Sequence, residues 1–485
     1  MLDGLPATNC HRLLADDKAR SADFRRLRTD DEFMNELLHE AARRAQLYVS
    51  NANRRRVAPA LEQVARLEKL ACPLPEDPAQ PGDVLALLDD YGSPATVAST
   101  GGRYFGFVTG GSLPAALAAN WLASAWDQNV ALRVMSPVAA RLEEIALEWL
   151  RELFGLRPEC GCGFVTGATM ANFTGLTAAR HALLARAGWN VEDRGLFGAP
   201  EIKVVVGAEV HVSMLKALSL AGFGKTRLTT VPVDGQGRVR ADALPSLDNM
   251  TLICIQAGNV NTGAFDPAAA ICSRAHEAGA WVHVDGAFGL WAAASPARAH
   301  LTKGVAAADS LATDCHKWLN VPYDCGIAFV QNGTHLRNAM TLNAAYLQTT
   351  QARDPWQYTP EASRRARGVE VWAALRSLGR KGLAEMIERN CRQAVTFADG
   401  LRKAGFAILN DVVLNQVLVS FGTAAQTQRI IEEVQNDGTC WCGGTQWQSH
   451  TAMRISVSSW ATTDDDVQQS LEAIVRIARC VLSTN

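Results

Sequence analysis

Three things are scarce in this 485-residue chain: net charge, long apolar runs and paired metal-ligand spacings. Lys plus Arg number 47 against 49 Asp plus Glu, a formal charge of −2, so no broad field exists to attract nucleic acid or another polyanion. No uninterrupted apolar stretch reaches the length of a membrane span. The opening Met1-Leu2-Asp3-Gly4 soon meets Asp16, Asp17 and Lys18 instead of a basic stretch followed by an apolar one, so no signal peptide is expected and the chain reads as cytoplasmic. Without an export signal, its 12 cysteines read as reduced thiols rather than a disulfide framework. Neither Cys160 with Cys162 nor Cys440 with Cys442 has the two-residue spacing, matched by a second such unit, that a zinc site needs, and no metal is expected. Internal repeats are absent too.

What is present is the composition of an ordinary globular protein, 48% hydrophobic and 20% charged, in a chain long enough for two or three packed units. Thr29-Asp30-Asp31-Glu32 can cap a helix that continues through Phe33, Leu37, Leu38 and Ala41. The first hundred residues read as helical, interrupted by Pro73, Pro75, Pro78 and Pro81. From Trp121 onward, helical stretches alternate with the β-branched runs Ile202 to Val206, Thr251 to Ile255, Trp281 to Val284 and Gly326 to Val330. That alternation predicts an α/β fold, a mostly parallel sheet with helices on both faces. The last hundred residues change pattern, with strands expected at Val412 to Val419 and Met453 to Val457. A final helix follows Thr463, its first turn acidic and its apolar face formed by Val467, Leu471, Ile474, Val475 and Ala478. The expected division is an N-terminal helical segment over 1–98, a large α/β domain over 99–375 and a small α+β domain over 376–485.

In parallel sheets ligands sit beyond the carboxyl ends of strands, so the residues after these runs come first. Asp285 ends Trp281-Val282-His283-Val284-Asp285-Gly286-Ala287, with a helix cap or loop acid as the plainer alternative. Lys317 follows the strand-like Ser310 to Asp314, and the flanking Trp318 and Leu319 argue against a simple surface lysine. Phe164-Val165-Thr166-Gly167-Ala168-Thr169-Met170-Ala171-Asn172 gives a strand end, a glycine turn and a helix start, which suits phosphate but is also common scaffolding. His211 follows the run ending at Val206, and its flat ring could stack on a ligand or simply be packed. Asn259 and Asn261 could serve a ligand or their own turn. An amine for a Schiff base, a carboxylate for a ring nitrogen, a phosphate cradle and a flat group are together what pyridoxal 5′-phosphate (PLP) requires.

From about Tyr104 to Arg380, through the glycine turn, His211, Gly263-Ala264-Phe265-Asp266-Pro267, His283-Val284-Asp285 and His316-Lys317-Trp318, the chain resembles the group II PLP-dependent decarboxylases of fold type I. That family contains aromatic-amino-acid, histidine and glutamate decarboxylases. The resemblance implies a large PLP-binding domain with a sheet of seven-stranded type, and decarboxylation of an L-amino acid to its amine and carbon dioxide. It implies Lys317 as the internal aldimine, Asp285 at the ring nitrogen, His211 stacked above the ring and Ala287 below it. Thr169 and His316 would lie near the phosphate, with Gly167, Ala168, Asn172 and Asn259 also toward the cofactor. Ser363 falls where the family takes a phosphate contact from the partner subunit, which implies a homodimer with shared sites and the N-terminal segment packed on the partner. Tyr346 aligns with the loop tyrosine that reprotonates the substrate carbon. Met170 stands in the turn where many relatives have a small polar residue, and two places depart from the aromatic-substrate pattern: Asp314-Cys315 where Asn-Pro is common, and Thr109-Gly110-Gly111 where Pro-Thr-Ala is common. Rival readings are aminotransfer or carbon–carbon lysis on the same cofactor, a metal-dependent hydrolase using His276, His283, Asp285 and His316, and a non-catalytic scaffold.

Overall fold

Residues 31–341 and 353–483 are described by the computed structural model. Three helices come first, α1 (Asp31–Asn51), α2 (Leu61–Ala65) and α3 (Pro81–Ala95), then α4 (Pro114–Trp126) and α5 (Pro137–Phe154). The alternating part follows as β1 (Gly161–Val165), α6 (Ala168–Arg186), α7 (Val191–Arg194), β2 (Lys203–Gly207), α8 (Val212–Leu220), β3 (Leu228–Val231), β4 (Thr251–Gln256), α9 (Ala268–Glu277), β5 (Trp281–Asp285), β6 (Ser310–Asp314), β7 (Gly326–Val330) and α10 (Gly333–Met340). The long α11 (Arg367–Lys403) leads to β8 (Ala407–Ile408), β9 (Gln416–Ser420), α12 (Ala424–Asp437), β10 (Gly443–Trp447), β11 (His450–Ser456) and α13 (Asp464–Ser483).

The larger sheet has seven strands in the order β1-β7-β6-β5-β4-β2-β3, as the resemblance implied. Only β7 runs against its neighbours; the other pairings are parallel. Both faces are covered, so the strands read as continuous apolar runs. Val204, Val206, Leu252, Cys254 and Trp281 pack with α6 and α8, while Val205, Ile253, Ile255, Val282 and Val284 face the opposite core with α5 and α9. That split follows from the two-residue period of a strand. Its consequence for the site is register: Gln256 pairs with Asp285, and Asp285 with Ala312, so β4, β5 and β6 end along one edge.

A second, antiparallel sheet in the order β10-β11-β9-β8 has its own core. The two cores meet along α11, which is broken at Gly379 (φ 59): Leu383, Ile387 and Cys391 belong to the larger core, Ala394, Phe397 and Leu401 to the smaller. The strand expected at Val412 to Val419 begins only at Gln416, because Val412 has a positive φ of 50. Edge strand β3, half exposed, had no sequence signal strong enough to mark it. At α13, Thr463 Oγ1 accepts the Asp466 N–H at 3.1 Å while Asp466 accepts the Thr463 N–H at 3.0 Å, a reciprocal cap. The Thr29 cap expected for α1 lies outside the described residues, as does Tyr346.

Candidate active site

Asp285 is the last residue of β5 and is buried, and each oxygen of its carboxylate has a donor. Its Oδ1 accepts the Ala287 N–H at 3.1 Å and its Oδ2 accepts from Asn172 Nδ2 at 3.0 Å. His283, two residues earlier on the same face of β5, continues the chain of contacts: its Nε2 meets Asn172 Oδ1 at 2.9 Å and its Nδ1 meets Ser310 Oγ at 2.8 Å. Ser310 Oγ accepts in turn from Trp281 Nε1 at 2.9 Å. Complete burial pushes His283 down to about 3, so it is neutral, and one tautomer satisfies every partner: Nε2–H donates to Asn172 and Nδ1 accepts from Ser310. A buried polar row satisfied throughout is rigid. It fixes the Asp285 carboxylate at the carboxyl end of the sheet.

Lys317 lies three residues beyond the end of β6, with Nζ 2.9 Å from Asp314 Oδ2. Burial lowers the affinity of its amine for a proton, but Asp314, with help from Asp285, raises it further, and the balance lies above the ordinary lysine value. His316, in contrast, is lowered, chiefly by burial, and its Nδ1 accepts the Cys325 N–H at 3.1 Å while its ring stacks on Tyr323 at 4.3 Å. The Lys317 backbone is held just as closely. A Cβ on Gly110 would sit 1.9 Å from the Lys317 carbonyl oxygen, which explains a glycine in Thr109-Gly110-Gly111. Asn320, in the left-handed region at φ 57, accepts the Gly111 N–H at 2.6 Å and the Trp460 N–H at 2.9 Å. It donates to the carbonyls of Trp318 and Ser458 at 2.8 and 3.0 Å. One buried amide thus joins the lysine loop, the 109–111 loop and the smaller sheet's following segment.

His211 caps α8, its Nδ1 accepting the Ser213 N–H at 3.2 Å. Burial lowers it, and the charges of Asp285, Lys317, Arg454 and Asp314 all reach it. Gly167, Ala168 and Thr169 form the turn and first residues of α6, and Ala287 follows Asp285 at the same crevice. Asn259 is spent on its own turn, its Oδ1 accepting from Asn261 N and Thr262 N at 2.9 and 3.2 Å. Ser363 lies exposed, accepting from Asn129 Nδ2 at 3.2 Å. The four residues of the metal reading are not gathered: His276 pairs with Asp309 at 3.2 Å while His283 is spent on Asn172 and Ser310. Among the described residues no group of three His, Cys, Asp or Glu side chains is placed to hold an ion, and no helix is long and apolar enough to cross a membrane.

Sequence reasoning missed Arg454 of β11, a largely buried guanidinium whose contact with Asn261 Oδ1, at 3.4 Å, is long for a hydrogen bond. Burial lowers its proton affinity. Sequence reasoning also missed Asp314 as the partner of Lys317, although the two are only three residues apart.

An amine and a carboxylate just past the ends of adjacent parallel strands are what an enzyme of the PLP class requires of its protein. Residues 78–423 match the pyridoxal-dependent decarboxylase conserved domain, and the chain belongs to that family. It is a PLP-dependent amino-acid decarboxylase. Among relatives, tryptophan decarboxylase 1 of Oryza sativa subsp. japonica is 27% identical over 414 residues, covering 77% of this chain and 79% of the relative. The aromatic-L-amino-acid decarboxylase of Bacillus atrophaeus is 23% identical over 433 residues, 84% of this chain and 88% of the relative. The solved structure of Oryza sativa TDC with PLP and tryptamine superposes with a TM-score of 0.84 at 22% identity, covering 93% of this chain and 99% of that one, a likeness of fold.

Proposed function

We propose that this chain removes the carboxylate of an L-amino acid with PLP held covalently by Lys317. One observation carries the reading: Asp285 ends β5, and Lys317 lies just past the end of the adjacent parallel β6 with its amine 2.9 Å from the carboxylate of Asp314, the last residue of that strand. The residues fit the cofactor. An amine is present for an aldehyde, a fixed carboxylate for a pyridine nitrogen, and a neutral flat ring at His211. At the turn into α6, a Cβ on Gly167 would sit 3.0 Å from His316 Cε1 and 3.3 Å from Asp314 Oδ1, so any side chain there would fill the cradle.

When bound, PLP supplies a sink for the electron pair left as carbon dioxide departs. The protein's own residues do the rest. Asp285, locked by Asn172 and Ala287, holds a proton at the ring nitrogen. His211, uncharged because buried, packs flat without adding a competing cation. Arg454, a largely buried cation whose side-chain contact among the described residues is the long one to Asn261, receives the substrate carboxylate and orients it before it leaves. Tyr346 returns a proton to the substrate carbon. The segment that carries it, outside the described residues, is followed by Arg353, which is anchored to Glu143 at 3.0 Å and to the Cys162 carbonyl at 2.7 Å.

The same reading divides the chain at residues 98 and 375 and makes it a cytoplasmic homodimer. In support of the dimer, α1 and α3 bury no residue, and Leu38, Leu88, Leu122 and Val134 are 56%, 60%, 56% and 83% exposed, an apolar surface that a second copy would cover. Ser363, exposed in the single chain, would then reach the partner's phosphate.

The test is chemical. Purified with PLP, the wild-type protein is expected to show visible absorption that borohydride fixes as an adduct on Lys317, and Lys317→Ala to lose both; an adduct retained in the variant overturns the assignment. Screening the common amino acids, aromatic ones first, should give carbon dioxide without a keto-acid acceptor, whereas dependence on an acceptor would mean aminotransfer.

A further inference from the structure

Asp314 ends β6 with 2% of its surface exposed, and its two carboxylate oxygens are divided between the two parts of the site that matter most. Oδ2 lies 2.9 Å from Lys317 Nζ. Oδ1 accepts the Ala168 N–H, the first of α6, at 2.5 Å and lies 3.5 Å from His316 Nε2. Its backbone cannot swing away, because the N–H donates to the Ala287 carbonyl at 2.9 Å and the carbonyl accepts from Trp291 Nε1 at 2.8 Å. Neither the amine nor the helix N–H is therefore free. A carboxylate is a strong partner for an ammonium and an unfavourable neighbour for a phosphate dianion.

We propose that Asp314 is a positioning residue that holds Lys317 as an ion-paired ammonium and claims the first N–H of α6, so that cofactor uptake must break both contacts. The proposal rests on the reading of Lys317 as the cofactor-holding amine. Five groups bear on the ion pair: Asp314 and His316 from the lysine's own loop, Asp285 from β5, Tyr323 from the loop before β7, and His211 from the start of α8. Of these the two carboxylates and, more weakly, Tyr323 favour the charged amine, and Asp314 is the one in contact. An ammonium nitrogen has no lone pair to offer. It must give one proton to solvent before it can bond to an aldehyde carbon, with one water leaving.

The experiment mixes full-length, cofactor-free protein with PLP and, separately, with pyridoxal, which lacks the phosphate, between about pH 6.5 and 9.5. Uptake is followed by visible absorption, and the adduct is fixed with borohydride and located by mass spectrometry. For the wild type, the rate with pyridoxal should climb about tenfold per pH unit without levelling. Asp314→Asn keeps an acceptor for the Ala168 N–H but loses the charge. It should react about tenfold or more faster at pH 7 with either aldehyde and level off at lower pH. Its gain should be larger with PLP than with pyridoxal. Coincident pH–rate curves overturn the ion-pair role, and equal gains with the two aldehydes overturn the role at α6. If Asp314→Asn does not fold, the wild type decides alone: a pyridoxal rate that levels off below about pH 9 overturns the proposal. An adduct at a residue other than Lys317 sinks the underlying reading instead, whatever the curves show.

Discussion

Replacing Asn172 by leucine should loosen the carboxylate on which the site depends, because Asn172 is completely buried and serves Asp285 and His283 at once. The leucine is close in volume, so little cavity is created. Two polar groups lose their partner instead. A hydrogen bond to a charged group is worth about 1.5–3 kcal/mol, and a buried N–H left unpaired costs about 1–3 kcal/mol, so a total loss of about 3–5 kcal/mol follows for the cofactor-free protein. Urea unfolding near neutral pH reads that loss directly. Adding His283→Phe, which removes the stranded N–H, should cost less than the sum of the two single changes by about 1 kcal/mol or more, as expected for residues in contact. PLP retention is the second reading. An Asp285 held only by the Ala287 N–H at 3.1 Å is freer to rotate, and about tenfold weaker retention is expected, equivalent to about 1.4 kcal/mol. A stability loss under about 1 kcal/mol would refute the energetic reasoning. Lost stability with unchanged PLP retention would show that the row supports the fold without orienting Asp285.

Two further outcomes are expected. His283, pushed down to about 3 by burial, stays neutral in the fold, whereas in the unfolded chain it takes up a proton near its ordinary value. Its contribution is therefore complete above about pH 6.5 and is lost as pH falls toward 3, at up to about 1.4 kcal/mol per unit. His283→Gln should flatten that part of the stability profile in urea titrations from pH 7 to 4.5, and parallel profiles would mean that His283 is not a buried neutral group. Gly110→Ala should displace the lysine loop, since the new Cβ would stand 1.9 Å from a backbone oxygen that cannot swing aside. Overpacking of this kind costs about 1–3 kcal/mol, and equilibrium dialysis should show weakened PLP retention. Wild-type retention would mean that the two loops yield easily.

Much of the fold was legible in the chain because it is local. The runs Thr251 to Ile255, Trp281 to Val284 and Gly326 to Val330 became β4, β5 and β7 nearly as read, since both-face burial leaves a continuous apolar signal bounded by turn residues. Asp285 and Lys317 could be singled out because each follows such a run. Asn259 shows the opposite case: a turn asparagine has two uses that look alike in sequence, and its own backbone took it. The shifted start of β9 turned on one backbone angle at Val412, which composition does not encode.

Convergence across elements is a different kind of information. Asp285 and Ala312 pair across parallel strands, so the ends of β5 and β6 share an edge however much chain lies between them, and any acid or amine just past either end enters one crevice. Parallel register makes strand-end residues predictable partners. Arg454 obeys no such rule: it stands on β11 of the antiparallel sheet, and its contact with Asn261 of the loop after β4 crosses between two units that share α11. Asp314 lies between these cases. It is three residues from Lys317, but its other oxygen meets α6, whose start is packed against β7 closely enough that a Cβ on Gly326 would come within 2.5 Å of the Gly167 backbone. Short spacing makes the ion pair with Lys317 readable in sequence, whereas the contact with α6 depends on two glycine-bearing segments meeting across the fold.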